Sequence, residues 1–218
     1  MNIQTLIFIT LFATAPAYAI SVTGRVRVEG RPAGTGTPTI VYAEPLDSKP
    51  AIPSGQFSMS QRNKSFTPRV LAVPVGSTIN FPNDDQIFHN VFSLSRPSPF
   101  DLGLYRAGVS KSRTFTAPAT YRVFCNIHPQ MAAVILVLPT PYITQTDPMG
   151  GYRFDLPAGR YRITAWSERG EARTVEAAIS TATTSVTELT LDESNFGESK
   201  HKNKFGQDYP KSAYEPGK

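Results

Sequence analysis

The sequence has few of the side chains that build disulfides and metal clusters. Its 218 residues include one cysteine, three histidines, four methionines and one tryptophan. A single cysteine excludes an intrachain disulfide, and a free thiol in an oxidising compartment is a liability unless it is buried or ligated. No long stretch repeats apolar residues at i, i+3, i+4 and i+7, so no substantial helix is predicted beyond the leader.

Turn-forming residues, in contrast, are plentiful. The chain contains 19 prolines and 15 glycines, and 40% of its residues are hydrophobic. This composition is typical of a globular protein with short strands and many turns. Alternating apolar residues in the runs 86–95 and 120–125, and the continuous apolar run 133–138, predict strands. The sequence therefore predicts an all-β fold.

The N-terminal residues 1–19 have the pattern of a signal peptide. An apolar run from Leu6 to Ala15 precedes the small-x-small cleavage pattern Ala17-Tyr18-Ala19. The run is about half the roughly 20 apolar residues that a membrane-spanning helix needs. We therefore expect export, to the periplasm, without a stable membrane anchor.

The net charge of +5 is unevenly distributed along the chain. Residues 60–138 hold eight basic and three acidic side chains, which accounts for the excess. Two interpretations stay open, namely solubility and steering toward a partner with an acidic surface. A nucleic-acid partner is not expected, because no basic cluster is present and the protein is predicted to be exported.

The stretch "FCNIHPQM" concentrates three of the scarce side chains. Cys125, His128 and Met131 stand at i, i+3 and i+6. Thiolate, imidazole and thioether are soft or borderline ligands, and one Cys with two His and a weak axial Met is the ligand set of blue-copper electron-transfer sites. Outside the C-terminal tail, only His89 can supply the second imidazole.

These segments resemble a known family. "FPNDDQIFHNVFSLS" followed by "PATYRVFCNIHPQMAAVILVL" resembles the cupredoxins, and the Cys-x2-His-x2-Met loop is similar to that of amicyanin. The resemblance covers residues 66–138. It implies one type 1 copper ion with His89, Cys125 and His128 as equatorial ligands and Met131 as the axial ligand. It also implies that the side chain of Asn90 ties the first ligand strand to the Cys loop.

His128, in the loop, is the expected exposed edge through which electrons leave, and a docking patch for redox partner proteins is predicted around it. Its predicted members are Ile127, Pro129 and Gln130. Asp84 and Asp85, which follow a proline, are interpreted as turn formers. His201, in the charged tail, is predicted to be solvated.

The C-terminal part resembles a second family. "TDPMGGYRFDLPAGRYRITAW", within residues 139–192, is similar to the carboxypeptidase regulatory-like, transthyretin-like β-sandwich. Residues 20–46 are predicted to form two strands that complete this sandwich or, alternatively, edge strands of the cupredoxin. Residues 47–65 are predicted to be a loop, and 193–218 a mobile charged tail. The predicted architecture is a Greek-key cupredoxin sandwich plus a smaller transthyretin-like sandwich, as in exported cupredoxins labelled methylamine-utilisation proteins.

The functional hypothesis is a one-copper electron carrier, not an enzyme. Copper oxidases and nitrite reductases need further centres built from several histidines, and His201 is the only histidine left. A nucleophilic Cys/His pair would need a third orienting group, and no motif supplies one. Copper handling, in which the ion is bound and released, remains an alternative, as does a scaffold role with a structural metal site.

Overall fold

The computed structural model describes residues 19–32, 35–186, 188–197 and 201–209. Every regular element in these ranges is a β-strand, which confirms the predicted all-β class. The predicted signal peptide, apart from Ala19, lies outside the described residues. In the described part of the chain, no helix has the length and hydrophobicity that a membrane span requires.

The described part of the chain contains seventeen strands. They are β1 (Ile20–Glu29), β2 (Ile40–Pro45), β3 (Gln56–Ser58), β4 (Ser60–Arg62), β5 (Ser65–Thr67), β6 (Val70–Pro74), β7 (Thr78–Pro82), β8 (His89–Ser93), β9 (Phe100–Tyr105), β10 (Ser110–Thr114), β11 (Ala119–Phe124), β12 (Ala132–Leu138), β13 (Tyr142–Gln145), β14 (Gly151–Leu156), β15 (Gly159–Trp166), β16 (Arg173–Ile179) and β17 (Leu189–Asp192).

Strands β3 to β12 form the first sandwich. A three-stranded sheet in the order β10–β7–β3 faces a five-stranded sheet in the order β6–β12–β11–β8–β9, and β4 and β5 form a hairpin. The core between the sheets is rich in aromatic rings, including the fully buried Phe81 and Tyr121. The buried Cys125 and Met131 belong to this core.

The remaining seven strands form the second sandwich. One sheet has the order β14–β1–β17 and the other has the order β13–β2–β15–β16. Strand β1 pairs with β14 and β17, while β2 pairs with β13 and β15. Residues 20–46 therefore share their sheets with residues from the C-terminal part of the chain.

Strand β12 belongs to both hydrophobic interiors. Ala133, Ile135 and Val137 point into the core of the first sandwich. Val134, Leu136 and Leu138 point the other way, into an apolar cluster with Ile40 and Trp166 of the second sandwich. A strand that is covered on both faces needs apolar residues at every position, which explains the uninterrupted run in the sequence.

Two segments differ from the sequence-based expectations. The loop predicted for 47–65 contains β3, β4 and the first residue of β5, because Phe57 and Met59 alternate toward the core between polar neighbours. The mobile tail predicted for 193–218 is wrong for Glu193, which is buried and accepts a hydrogen bond from Ser167. It is also wrong for residues 201–209, which contact the first sandwich. Residues 194–197 are described and largely exposed, whereas 198–200 and 210–218 lie outside the described residues.

We predict that Leu136→Ala lowers the free energy of unfolding by about 2–5 kcal/mol, because it opens a cavity where the two sandwiches meet. Denaturant unfolding measures this change. The control is Leu104→Ala on β9, where the leucine is 56% exposed and the change should stay within about 0.5 kcal/mol. Equal effects of the two substitutions would contradict the packing of β12 against the second sandwich.

Candidate metal centre

The site is formed where two antiparallel strands bring the end of one strand next to the beginning of the other. Strand β11 ends at Phe124, which pairs with Phe92 of β8. Cys125 follows β11 directly, and His89 is the first residue of β8. Because the strands are antiparallel, the end of β11 and the start of β8 lie at the same end of the sheet.

The loop that follows Cys125 is closed by its own backbone. The Met131 N–H donates to the carbonyl oxygen of His128 at 3.0 Å, and the Cys125 N–H donates to that of Met131 at 3.3 Å. The chain then enters β12 at Ala132. This short loop therefore turns His128 back toward the sulfur of Cys125.

Three donor atoms from these elements converge. The Nδ1 atoms of His89 and His128 are 3.1 Å apart, and they lie 3.9 Å and 3.7 Å from the Cys125 sulfur. In a tetrahedral site with metal–nitrogen bonds of about 2.0 Å and metal–sulfur bonds of about 2.3 Å, donor atoms lie about 3.3–3.6 Å apart. The observed separations therefore fit one metal ion bound by these three side chains.

The donors are largely hidden from water. His89, Cys125 and Met131 have no exposed surface, and His128 is half-buried. Removing polar groups from water is costly unless each one finds a partner. A metal ion would provide a shared partner for the three donor atoms.

A carboxylate orients the first histidine. The Nε2–H of His89 donates to Asp85 Oδ2 at 2.7 Å, so that the neutral ring has its lone pair on Nδ1, facing the sulfur. Asp85 also accepts the backbone N–H groups of Asn63 at 2.6 Å and Lys64 at 2.9 Å. Burial would raise the pKa of Asp85, but the hydrogen bonds from Lys64, His89 and Asn63 outweigh it and lower the pKa.

These two backbone donors come from a tight turn. Asn63 and Lys64 connect β4 to β5, with φ values of 54° and 52°. Two such residues are typical of a type I′ hairpin turn. Asn tolerates this left-handed conformation better than Lys does. The bonds to Asp85 hold both residues there, so the hairpin and the histidine support one another.

The electrostatics of the other two donors also suit metal binding. Burial raises the pKa of the Cys125 thiol, while the backbone N–H groups of Ile127, Asn90 and His128 lower it in part by donating to the sulfur. Burial also lowers the pKa of His128, as do the positive charge that a protonated His89 would carry and the charge of Lys64. A neutral imidazole keeps its lone pair available, and a bound cation deprotonates a coordinating thiol.

The predicted site residues are distributed as follows. His89, Cys125 and His128 come together, and Met131 is buried in the same core. The amide nitrogen of Asn90 donates to Asp101 on β9 at 2.7 Å instead of reaching the Cys loop. It is the backbone N–H of Asn90 that acts on the sulfur.

The predicted docking patch is only partly at the surface. Ile127 is 42% exposed and Gln130 is exposed. Pro129 is buried, and its carbonyl oxygen lies 2.7 Å from Nε2 of His201. Pro129 is thus not available as a docking contact, and His201 is not the solvated tail residue that the sequence suggested.

Two features of the site escaped the sequence analysis. Asp85 reads as a turn former, and only its position four residues before His89 hints at a role. The contacts of residues 201–209 have no signal in the sequence, because a polar, charged and aperiodic segment is typical of a tail. Both depend on which surfaces the fold brings together.

Comparisons with known proteins give partial likenesses. No protein-family model matches the chain, and no curated protein matches it. Among solved structures, the chain is similar to the copper-containing nitrite reductase of Thermus scotoductus SA-01, with 29% identity and a TM-score of 0.38 over 44% of this chain and 25% of the reductase. It is also similar to the purple cupredoxin of Nitrosopumilus maritimus, with 22% identity and a TM-score of 0.35 over 37% of this chain and 98% of that one.

A further likeness is to amicyanin in a copper(I) form of one of its variants. The identity is 22% and the TM-score 0.37, over 44% of this chain and 99% of amicyanin. The chain thus spans a quarter of the length of the reductase and nearly the whole of the two small proteins. TM-scores this low carry no argument about function, so the chemistry of the site is argued from its own side chains alone.

We predict that Asp85→Asn weakens metal binding about tenfold to a hundredfold, because the neutral amide holds the His89 ring less firmly. Competition with a chromophoric chelator measures the affinity for Cu(II). The matched control is Asp84→Asn, since Asp84 accepts a hydrogen bond from Ser60 and carries the same charge one residue away. Equal affinities for the two variants would show that Asp85 does not support the ligand.

Proposed function

We propose that this chain is a type 1 copper protein of the cupredoxin type that carries single electrons between protein partners. The observation that carries the proposal is the set of donor atoms of His89, Cys125 and His128, all within 4.8 Å of one another. One thiolate and two imidazoles form the equatorial ligand set of blue-copper sites. Met131, buried in the same core as Cys125, would hold the ion with its thioether as a fourth, weak donor.

The role of the ion is simple, and the protein provides the conditions for it. A copper ion held by His89, Cys125 and His128 would supply one-electron chemistry, because copper can change between Cu(II) and Cu(I). His89 is held by Asp85, the loop from Cys125 to Met131 is closed by backbone hydrogen bonds, and the core excludes water. Donors that cannot move far require little rearrangement when the charge changes.

His128 is the donor nearest to solvent. It is half-buried, whereas His89 and Cys125 are fully buried. Ile127 beside it is exposed and apolar. Electrons therefore enter and leave through the His128 edge, against a partner that covers Ile127 and Gln130. The excess of basic residues in the first sandwich favours a partner with an acidic surface.

Electron transfer accounts for the site better than catalysis or copper handling. Among the described residues, the group of His89, Cys125 and His128 is the only cluster of three or more metal-ligating side chains. A copper enzyme with a second centre would need another. A protein that hands its ion to others needs accessible donors, whereas two of these three are fully buried.

The proposal also assigns a family to the second sandwich. Its three-stranded and four-stranded sheets together make seven strands, in keeping with a carboxypeptidase regulatory-like, transthyretin-like module. We assign the protein to the periplasm after removal of residues 1–19, as in the exported cupredoxins labelled methylamine-utilisation proteins. The mass of the secreted protein tests this, because cleavage after Ala19 leaves Ile20 as the N-terminus.

We predict that Cu(II) added to the purified mature protein produces an intense visible band from thiolate-to-copper charge transfer. Cys125→Ala removes the sulfur and should abolish the band, while its thermal unfolding checks that the protein remains folded. Visible absorption and electron paramagnetic resonance spectra make the measurement. A folded wild-type protein that stays colourless with copper would overturn the proposed function.

We predict that Met131→Leu retains copper and raises the reduction potential, because losing the thioether disfavours Cu(II) more than Cu(I). Cyclic voltammetry measures the potential. Met59→Leu is the matched control, since Met59 is equally buried in the same core and is not assigned as a ligand. If both variants kept the wild-type potential, Met131 would not be the axial ligand.

A further inference from the structure

Residues 201–209, here called the strap, lie across the loop that carries the donors. The His201 ring stacks on Phe124, with 4.0 Å between ring centroids and 24° between planes. Its Nε2 lies 2.7 Å from the carbonyl oxygen of Pro129. His201 therefore contacts the chain on both sides of Cys125, just before the loop and within it.

The rest of the strap adds hydrogen bonds to the same loop. The backbone N–H of Lys204 donates to Asn126 Oδ1 at 3.0 Å. The hydroxyl of Tyr209, a side chain only 6% exposed, donates to the carbonyl oxygen of Cys125 at 2.8 Å. The strap thus holds the backbone of the thiol ligand itself and the side chain of Asn126, the residue that follows it.

The strap is also connected, through Asp101 on β9, to strand β8, which carries His89. Lys204 Nζ lies 2.6 Å from Asp101 Oδ2, and Asp101 Oδ1 accepts the amide of Asn90 at 2.7 Å. Asn90 is the neighbour of His89. Lys204 therefore links the Cys125 loop and the His89 strand from outside.

The strap has an internal structure that suits this role. The side-chain oxygen of Asn203 accepts hydrogen bonds from the backbone N–H groups of Phe205 at 2.9 Å and Gln207 at 3.0 Å. The backbone N–H of Asn203 donates in return to the carbonyl oxygen of Gln207. These bonds close a compact turn over residues 203–207. A preformed turn loses less conformational entropy on docking than an extended tail would.

We propose that the strap is a working part of the metal centre, which holds the donor loop closed and controls how fast the metal ion enters and leaves. This inference rests on the proposed copper site. His89 and Cys125 have no exposed surface, so an ion can pass only when the loop from Cys125 to Met131 moves. The loop moves only after Tyr209, Lys204 and His201 release it, so metal exchange passes through a state with the strap open.

The test compares copper release by a chelator from three proteins. Tyr209→Phe removes one hydrogen bond to Cys125 and should raise the release rate about fivefold, the effect of one net hydrogen bond on the opening equilibrium. A chain that ends at Gly197 lacks the whole strap and should release copper more than tenfold faster. The control is Tyr161→Phe, which removes a bond of the same kind, from Tyr161 to the carbonyl oxygen of Pro157, in the second sandwich. Its release rate should equal that of the wild type.

Hydrogen exchange of the metal-free proteins provides a readout that does not depend on copper. The amides of Cys125 and Met131 are hydrogen-bonded inside the loop and should exchange faster in Tyr209→Phe and in the truncated chain. Unchanged release and unchanged exchange overturn the role of the strap and leave the copper site in place. Faster hydrogen exchange with an unchanged rate of copper release shows that the strap holds the loop but does not control metal release, and overturns that part of the proposal. A wild-type protein that binds no copper overturns both proposals.

Discussion

The antiparallel pairing of β11 with β8 is the constraint on which the rest of the site depends. It sets the end of one strand beside the beginning of the other, and so brings Cys125 next to His89, 36 residues away along the chain. His128 then needs only a short loop to reach the same point. Without this register, the three donor atoms would have no common centre, and neither the metal site nor the strap over it would have a function.

Burying these donors creates a cost that the surroundings offset in several ways. In a poorly polarisable interior, an unpaired polar atom is costly and a paired one is held firmly. Asp85 accepts a hydrogen bond from the outer nitrogen of His89, and the backbone N–H groups of Asn63 and Lys64 donate to Asp85. Backbone N–H groups act on the sulfur of Cys125. The inner faces of the donors are left to share a cation, as in the proposed copper site.

Strand β12 connects the loop from Cys125 to Met131 to both sandwiches. It starts directly after Met131, with one face in the core of the first sandwich and the other against the second. An ion pair between Arg69 and Glu168, at 2.8 Å, crosses the same boundary. The exit of the loop is therefore anchored in two hydrophobic clusters, while its outer side is held by residues 201–209. Rigidity at the site comes from packing on one side and hydrogen bonds on the other.

The sequence by itself determined the all-β class, the apolar strand β12 and the candidate donors, because strand periodicity and the chemistry of scarce side chains are local properties. It did not determine that 56–62 would form strands, that Asp85 would orient His89, or that residues 201–209 would cover Pro129 and the Cys125 carbonyl. The strands and the cover over Pro129 depend on contacts between segments far apart in the chain, and Asp85, although only four residues from His89, is held in place by the distant turn at Asn63 and Lys64. A polar residue gains its role there only from the surface it meets. Local pattern identifies what a side chain can do, and only the tertiary structure decides which partner it finds.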